Sequence, residues 1–473
     1  MNTENKFRQP LIILGVTIVI LYAISFINLD YEVPVINFNL KSVDFLSDIK
    51  EINLNESSSL NSQKNNSTVK PLVITQASLD FSNVFVEAIS FLESKSDKTT
   101  IDYTPLQGRR TSITGNVKQL SYFFDALKNS KTKTVRVAHF GDSAIEGDLI
   151  TSDIREALQN KFGGNGVGWL GIVSQDITFR QTTKHSFSSN WQSAALYTSN
   201  PNGLPLGISG EVNVPKGNAW VQYEITRSKR YLKDFSIVHL YYNNAKNSTI
   251  SYSFDGGAKQ TASLKTGTPI QELLLKPSSR AKSIRIEFPL ADQAYFYGVT
   301  LENEPGIYVD NLPLRGNTGV DLGSLQASVL RDFSKYLDYK LIILEFGLNI
   351  AGSRNTDYNW YEREMVKVIN NLKAAFPRTS FLMISVHDKS IKKGSNFVTD
   401  PTILRLLETQ KNIARQADIA IWSLFDAMGG ENSMPNWVNA NPPMAFKDFI
   451  HFNDVGAAKV AGLLTDALLE QNK

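Results

Sequence analysis

Four short stretches carry residues whose types could do chemistry together. "FGDSAIEGD" carries Ser143, "DNLPLRGNTG" carries Gly316, "LEFGLNIAG" carries Gly347 and Asn349, and "DFIHFNDVGA" carries Asp448 and His451. A serine hydroxyl is a poor nucleophile until a base takes its proton. Histidine can take a proton near neutral pH, and a carboxylate can orient the ring that does so. Singly, each stretch has a plainer reading. Gly141, Asp142 and Ser143 are ordinary turn residues, and Asn453 or Asp454 could simply cap the last helix.

The flanking elements favour the chemical reading. The run from Val135 to Phe140 has the make-up of a strand and stops abruptly at Gly141-Asp142-Ser143. The helical spacing of "LITSDIREALQNKF" follows, so Ser143 sits between strand and helix. A strand's C-terminal end is where α/β sheets place their chemistry. Stretches two and three likewise put a polar or glycine-rich tip after an apolar strand, and Asp448 and His451 stand just before the closing helix "DVGAAKVAGLLTDALLEQ". Strands alternating with helices imply a parallel sheet covered on both faces.

From about Gln175 to Pro305 the rhythm changes to short alternating strands, such as "AWVQYEI" and "SIRIEFPL", with a hairpin signal at Asp255-Gly256. This block reads as a β-sandwich inserted into the α/β body. Ahead of the body, Leu11 to Ile27 is an uncharged apolar run preceded by Lys6 and Arg8. It reads as an uncleaved transmembrane anchor with a cytoplasmic N-terminus and the remainder outside. The segments expected are therefore 1–30 stub and anchor, 31–70 a Ser/Asn-rich flexible tether, 71–174 and 306–473 the two parts of the α/β domain, and 175–305 the insert.

Composition excludes several functions. With no cysteine in 473 residues there are no disulfides, thiolate nucleophiles or cysteine metal sites. A net charge of +3 with no dense basic stretch gives no reason to expect nucleic acid. No spaced ligand set occurs, so neither metal nor cofactor is expected. His139, His185, His239 and His387 read as structural, and Trp191, Trp220, Tyr241 and Tyr242 as packing rather than sugar-stacking residues.

Taken in order, the four stretches resemble the motifs of the SGNH, or GDSL-type, hydrolases, over roughly 110–175 and 305–470. The resemblance implies an α/β three-layer fold with a parallel sheet. It implies Ser143 as nucleophile, His451 as base and Asp448 as its orienting acid. Ser143 N–H, Gly316 (Gly319 as fallback) and the Asn349 side chain would form the oxyanion hole, each donor contributing roughly 2.7–4 kcal/mol. Ala144 and Ile350 depart from residues common after the serine and the asparagine. Ile145 excludes the Gly-x-Ser-x-Gly elbow of the α/β-hydrolases. Within the family the pattern is similar to peptidoglycan O-acetylesterase types with an inserted β domain. The expectation is thus a serine esterase acting on an acylated envelope polysaccharide in the periplasm or outside the cell. The alternatives are an O-acetyltransferase fed by a membrane-bound acyl-donor protein, and a non-catalytic glycan-binding protein.

Overall fold

The computed structural model describes residues 31–33, 38–40 and 108–471, apart from 175, 176, 178, 179, 227, 230, 231, 292, 304 and 353–356. The apolar run Leu11–Ile27 and residues 71–107 lie outside the described residues. Among the described residues no helix is long and apolar enough to cross a membrane. Within the segment read as a tether, Tyr31–Val33 pairs antiparallel with Phe38–Leu40.

The body is built on five parallel strands. In chain order they are Val135–Gly141, Ile307–Pro313, Tyr339–Glu345, Ser380–Ile384 and Ala420–Trp422, and across the sheet the first two exchange places, giving 2-1-3-4-5. Thr114–Gly115 adds a short antiparallel edge. The first strand is central, paired with Pro313 on one side and Glu345 on the other at its Gly141 end. Successive side chains of a strand face opposite ways, and both directions here are mostly apolar and buried. Val135 and Val137 join Ile307, Val309, Leu341 and Ile343 under the Thr151–Phe162 and Asp454–Glu470 helices. Ala138 and Phe140 join Leu312, Ile342 and Leu344 under the helices Ala327–Leu337, Asn359–Ala375 and Pro401–Gln416. A strand buried on both faces reads as a near-continuous apolar run. Here only Arg136 and His139 interrupt it, and both are buried against carboxylates, Glu302 and Glu345.

Two antiparallel sheets interrupt the alternation, both drawn from the segment between the first two parallel strands. They close on a core that includes Val221, Leu240, Ile250, Ile286, Phe288 and Phe296. Gly168–Gly171, which lies before residue 175, pairs with Tyr295–Glu302 of one of these sheets. The stretch "AIWSLFDAM" splits: its strand ends at Trp422, and Ser423 caps a short helix Leu424–Met428 by accepting from the Asp426 N–H. Helix Pro401–Gln416 carries clear sequence signals, a capping Asp400 and a proline at the first position.

Candidate active site

Ser143 is delivered by the central strand. Gly141 brings the chain into a tight approach that a side chain would block, since a Cβ there would lie 2.9 Å from Ile145. Asp142 then caps the turn, its Oδ1 accepting from the Ala144 N–H at 3.0 Å. This leaves Ser143 half-buried, with its Oγ 3.1 Å from His451 Nε2. His451 Nδ1 is 2.7 Å from Asp448 Oδ2. Asp448 Oδ1 accepts from the backbone N–H of Ile450 and of His451, at 2.9 and 3.1 Å. Partial burial opposes the charge on Asp448, but the His451 ring and these two N–H groups outweigh it and hold the carboxyl below its ordinary range. Asn453 also caps the last helix, accepting from Val455 and Gly456. Capping and the Ser-His-Asp alignment thus coexist in one stretch.

The structure brings Asn349 to the same strand ends. Its Nδ2 donates to Asp142 Oδ2 at 3.1 Å and to the Asn317 carbonyl at 2.8 Å. Both amide hydrogens are therefore engaged, and an oxyanion would have to draw one of them away. The Ser143 and Gly316 N–H groups have no protein acceptor among the described residues. Gly316 is exposed and adopts φ +73°, on a loop tied to the serine strand by the Leu314 N–H to Gly141 carbonyl bond of 2.7 Å. Gly319, the fallback, is different: its N–H donates to Asn317 Oδ1 at 2.7 Å, and a Cβ would meet Phe346 at 2.8 Å. Ser143 follows strand one and Asn349 follows strand three, so they flank the point where the strand order reverses, the usual place for a ligand in such a sheet.

An open cavity of about 450 Å³ lies over Ser143, Asp448 and His451. Glu146, Gln181, Arg315 and Phe446, none of them singled out from sequence, also line it, as does Asp454, read from sequence only as a candidate helix cap. Arg315 pairs with Glu146 at 3.5 Å, and Gln181 donates to Asp454 at 2.8 Å. The neighbour Gly316 was the one available signal for Arg315. Gln181 had none, because it reaches the cavity from the start of the inserted segment. Beneath the turn, Arg155 makes two 2.8 Å bonds to Asp148, and Thr182 Oγ1 adds a third at 2.7 Å. Burial would raise the Asp148 carboxyl, but Arg155 and Arg180 outweigh it and hold it low. This cluster anchors the insert's first residues to the serine turn.

The remaining histidines have structural partners. His139 is buried between Glu345, 3.0 Å away, and Thr151, 2.9 Å away. His185 meets the Ile172 carbonyl at 3.1 Å, and His239 meets Glu272 at 2.8 Å. His387 is pushed down to about 4, chiefly by burial, so at neutral pH it is uncharged; its Nε2 donates to the Ile450 carbonyl at 2.7 Å. Tyr241 and Tyr242 are buried, and Trp220 lies under Arg285 with the guanidinium 3.9 Å from the ring centre. Among the described residues no group of three or more potential ligands is placed to hold a metal ion.

No protein-family model and no curated protein matches the chain. Solved structures do. One described as "Peptidoglycan O-acetylesterase in action" superposes with a TM-score of 0.63 at 23% identity, covering 76% of this chain and 99% of its own. A family two carbohydrate esterase from Cellvibrio japonicus covers 61% of this chain and 98% of its own, at 11% identity and a TM-score of 0.25. An acetyl xylan esterase, AlAXEase, covers 34% and 80%, at 18% identity and 0.26. The last two are too distant to carry argument. The first shares the fold over nearly its whole length, and the fold of this chain is SGNH-hydrolase-like.

Proposed function

We propose that the protein is a serine esterase that removes O-acetyl or similar acyl groups from an envelope polysaccharide such as peptidoglycan. The observation that carries this reading is the Ser143–His451–Asp448 alignment, with successive contacts of 3.1 and 2.7 Å, opening into a cavity at the strand ends. Ser143 Oγ attacks the acyl carbon while its proton passes to His451 Nε2. The two unsatisfied N–H groups of Ser143 and Gly316 receive the developing oxyanion, and Asn349 joins them if it releases Asp142 or Asn317. The tetrahedral species collapses as His451 returns the proton to the departing sugar oxygen. Water, deprotonated by the same histidine, then releases the acid and frees Ser143. The choice of an acetylated sugar follows the neighbour that shares the fold, and Leu11–Ile27 would hold the body at the outer face of a membrane.

The test is acetate release from O-acetylated glycans, wild type against Ser143→Ala. Release by wild type and silence in the variant is expected. Transfer to sugar acceptors without free acetate would instead assign an acetyltransferase. Near-wild-type release by Ser143→Ala would remove the triad reading altogether.

A further inference from the structure

Asp448 and His451 are separated by Phe449 and Ile450, so the backbone of these two residues sets the directions of both side chains. Phe449 has φ +57°, the left-handed region that a bulky side chain seldom occupies. Such a conformation persists only when its surroundings over-determine it. The turn's own bonds contribute: the Phe449 N–H donates to the Phe446 carbonyl at 3.1 Å, and the Ile450 and His451 N–H groups donate to Asp448 Oδ1. Three further contacts come from one segment outside the turn. His387 Nε2 donates to the Ile450 carbonyl at 2.7 Å, and the Ser390 N–H donates to the Phe449 carbonyl at 3.1 Å. The Phe397 ring stacks on Phe449 with centroids 3.6 Å apart and planes 9° from parallel.

Ser390 and Phe397 belong to a two-stranded hairpin, Ser390–Lys393 with Asn396–Thr399, that follows the fourth parallel strand. Its base is fixed. Thr399 Oγ1 donates to Asp388 Oδ1 at 2.8 Å, Asp388 Oδ2 accepts from the Met434 N–H at 2.8 Å, and Asn432 Oδ1 accepts from the Thr399 N–H at 3.1 Å. Its tip is solvent-facing, and Phe397 remains 36% exposed despite the stack. A ring that exposed adds little to the core. Its close contact is with the residue whose backbone aims the triad.

We infer that this hairpin is a clamp that holds the Asp448–His451 turn in register with Ser143, and that Phe397 is a positioning residue for the reaction. The inference rests on the triad reading above. Covalent labelling of Ser143 by a serine-directed fluorophosphonate, followed by mass spectrometry, separates the two. An unlabelled wild-type Ser143 would reject the triad. With wild type labelled, Phe397→Ala should be labelled at least roughly tenfold more slowly, since small misplacements of catalytic groups cost this much or more. Its kcat on a small aryl acetate should fall alike with KM little changed, and Phe397→Tyr should restore both rates. In a Phe449→Gly background, where the stack is already gone and φ > 0 carries no steric penalty, Phe397→Ala should cost nothing further. Wild-type labelling by Phe397→Ala, failure of tyrosine to rescue, or full additivity with Phe449→Gly would each overturn the clamp.

Discussion

The central strand Val135–Gly141 ends in two contrasting environments. At its start Arg136 is buried with Glu302 and lies 3.8 Å from Asp310, whose other contacts are the Tyr339 hydroxyl at 2.9 Å and the Trp169 N–H at 2.9 Å. The charges there face one another across a sealed seam between sheet and insert. At its finish Ser143, His451 and Asp448 also form a connected polar set, with Asp142 and Asn349 bonded to each other beside it, but one side opens into a cavity. The same residue types thus serve opposite ends. A closed network spends its polarity on fixing the fold, whereas an open one keeps donors and acceptors available to a substrate. The parallel topology dictates which end is which, because only the C-terminal ends are splayed by the change in strand order.

Substitutions at the two ends should separate activity from stability. The largest effect is expected for Ser143→Ala, which should cut ester turnover by at least ~10³-fold in a steady-state assay. Its melting temperature should stay close to that of wild type, because one half-buried hydroxyl contributes little to the fold. Asn349→Ala should lower kcat by roughly 10²–10³ if an amide hydrogen reaches the oxyanion. A loss confined to stability would show that its bonds to Asp142 and Asn317 are its whole role. Arg136→Met, at the sealed end, should do the reverse. Leaving Glu302 and Asp310 buried without their cation should cost about 3–5 kcal/mol in urea denaturation, while the kcat of the folded protein stays near wild type.

The smallest and most diagnostic effect concerns Asp142, the acid at the open end. Burial, reinforced by nearby Glu345 and opposed by the Ala144 N–H, pushes its carboxyl up to about 7 from an ordinary value of 3.8. Between those values the folded state keeps a proton that the unfolded chain has released. Stability therefore falls as pH rises through that window, by at most about 1.4 kcal/mol per pH unit for one group. Asp142→Asn should flatten this slope relative to wild type in denaturation curves taken at pH 5, 6 and 7. An unchanged slope would mean that the carboxylate is ionised throughout, stabilised by the Asn349 amide.

Much of this was legible in the chain itself. The largely apolar run Val135–Phe140, broken by Arg136 and His139, and the strict one Leu341–Leu344 identify strands buried on both faces, because covering helices leave no polar side. Short alternating segments after residue 175 identify half-buried antiparallel strands for the complementary reason. Ser143 and Asn349 follow apolar strands and Asp448 and His451 precede the closing helix, but each alone had a plain turn or cap reading. They stood out because the four stretches, in order, resemble the SGNH motifs. Local pattern could not tell which donors remain free. Gly316 and Gly319 look alike in sequence, yet only folding shows that the Asn317 side chain occupies the Gly319 N–H. Nor could it show that both Asn349 hydrogens are engaged, or that Gln181 and Arg315 share a cavity with the serine. The hairpin Ser390–Thr399 was equally silent, since its contact with Phe449 joins residues 52 positions apart. Sequence periodicity reports each element's own buried face. Hydrogen-bond partners between elements, and the carboxyl environments that follow from them, exist only once the strand order has been set and the loops have met.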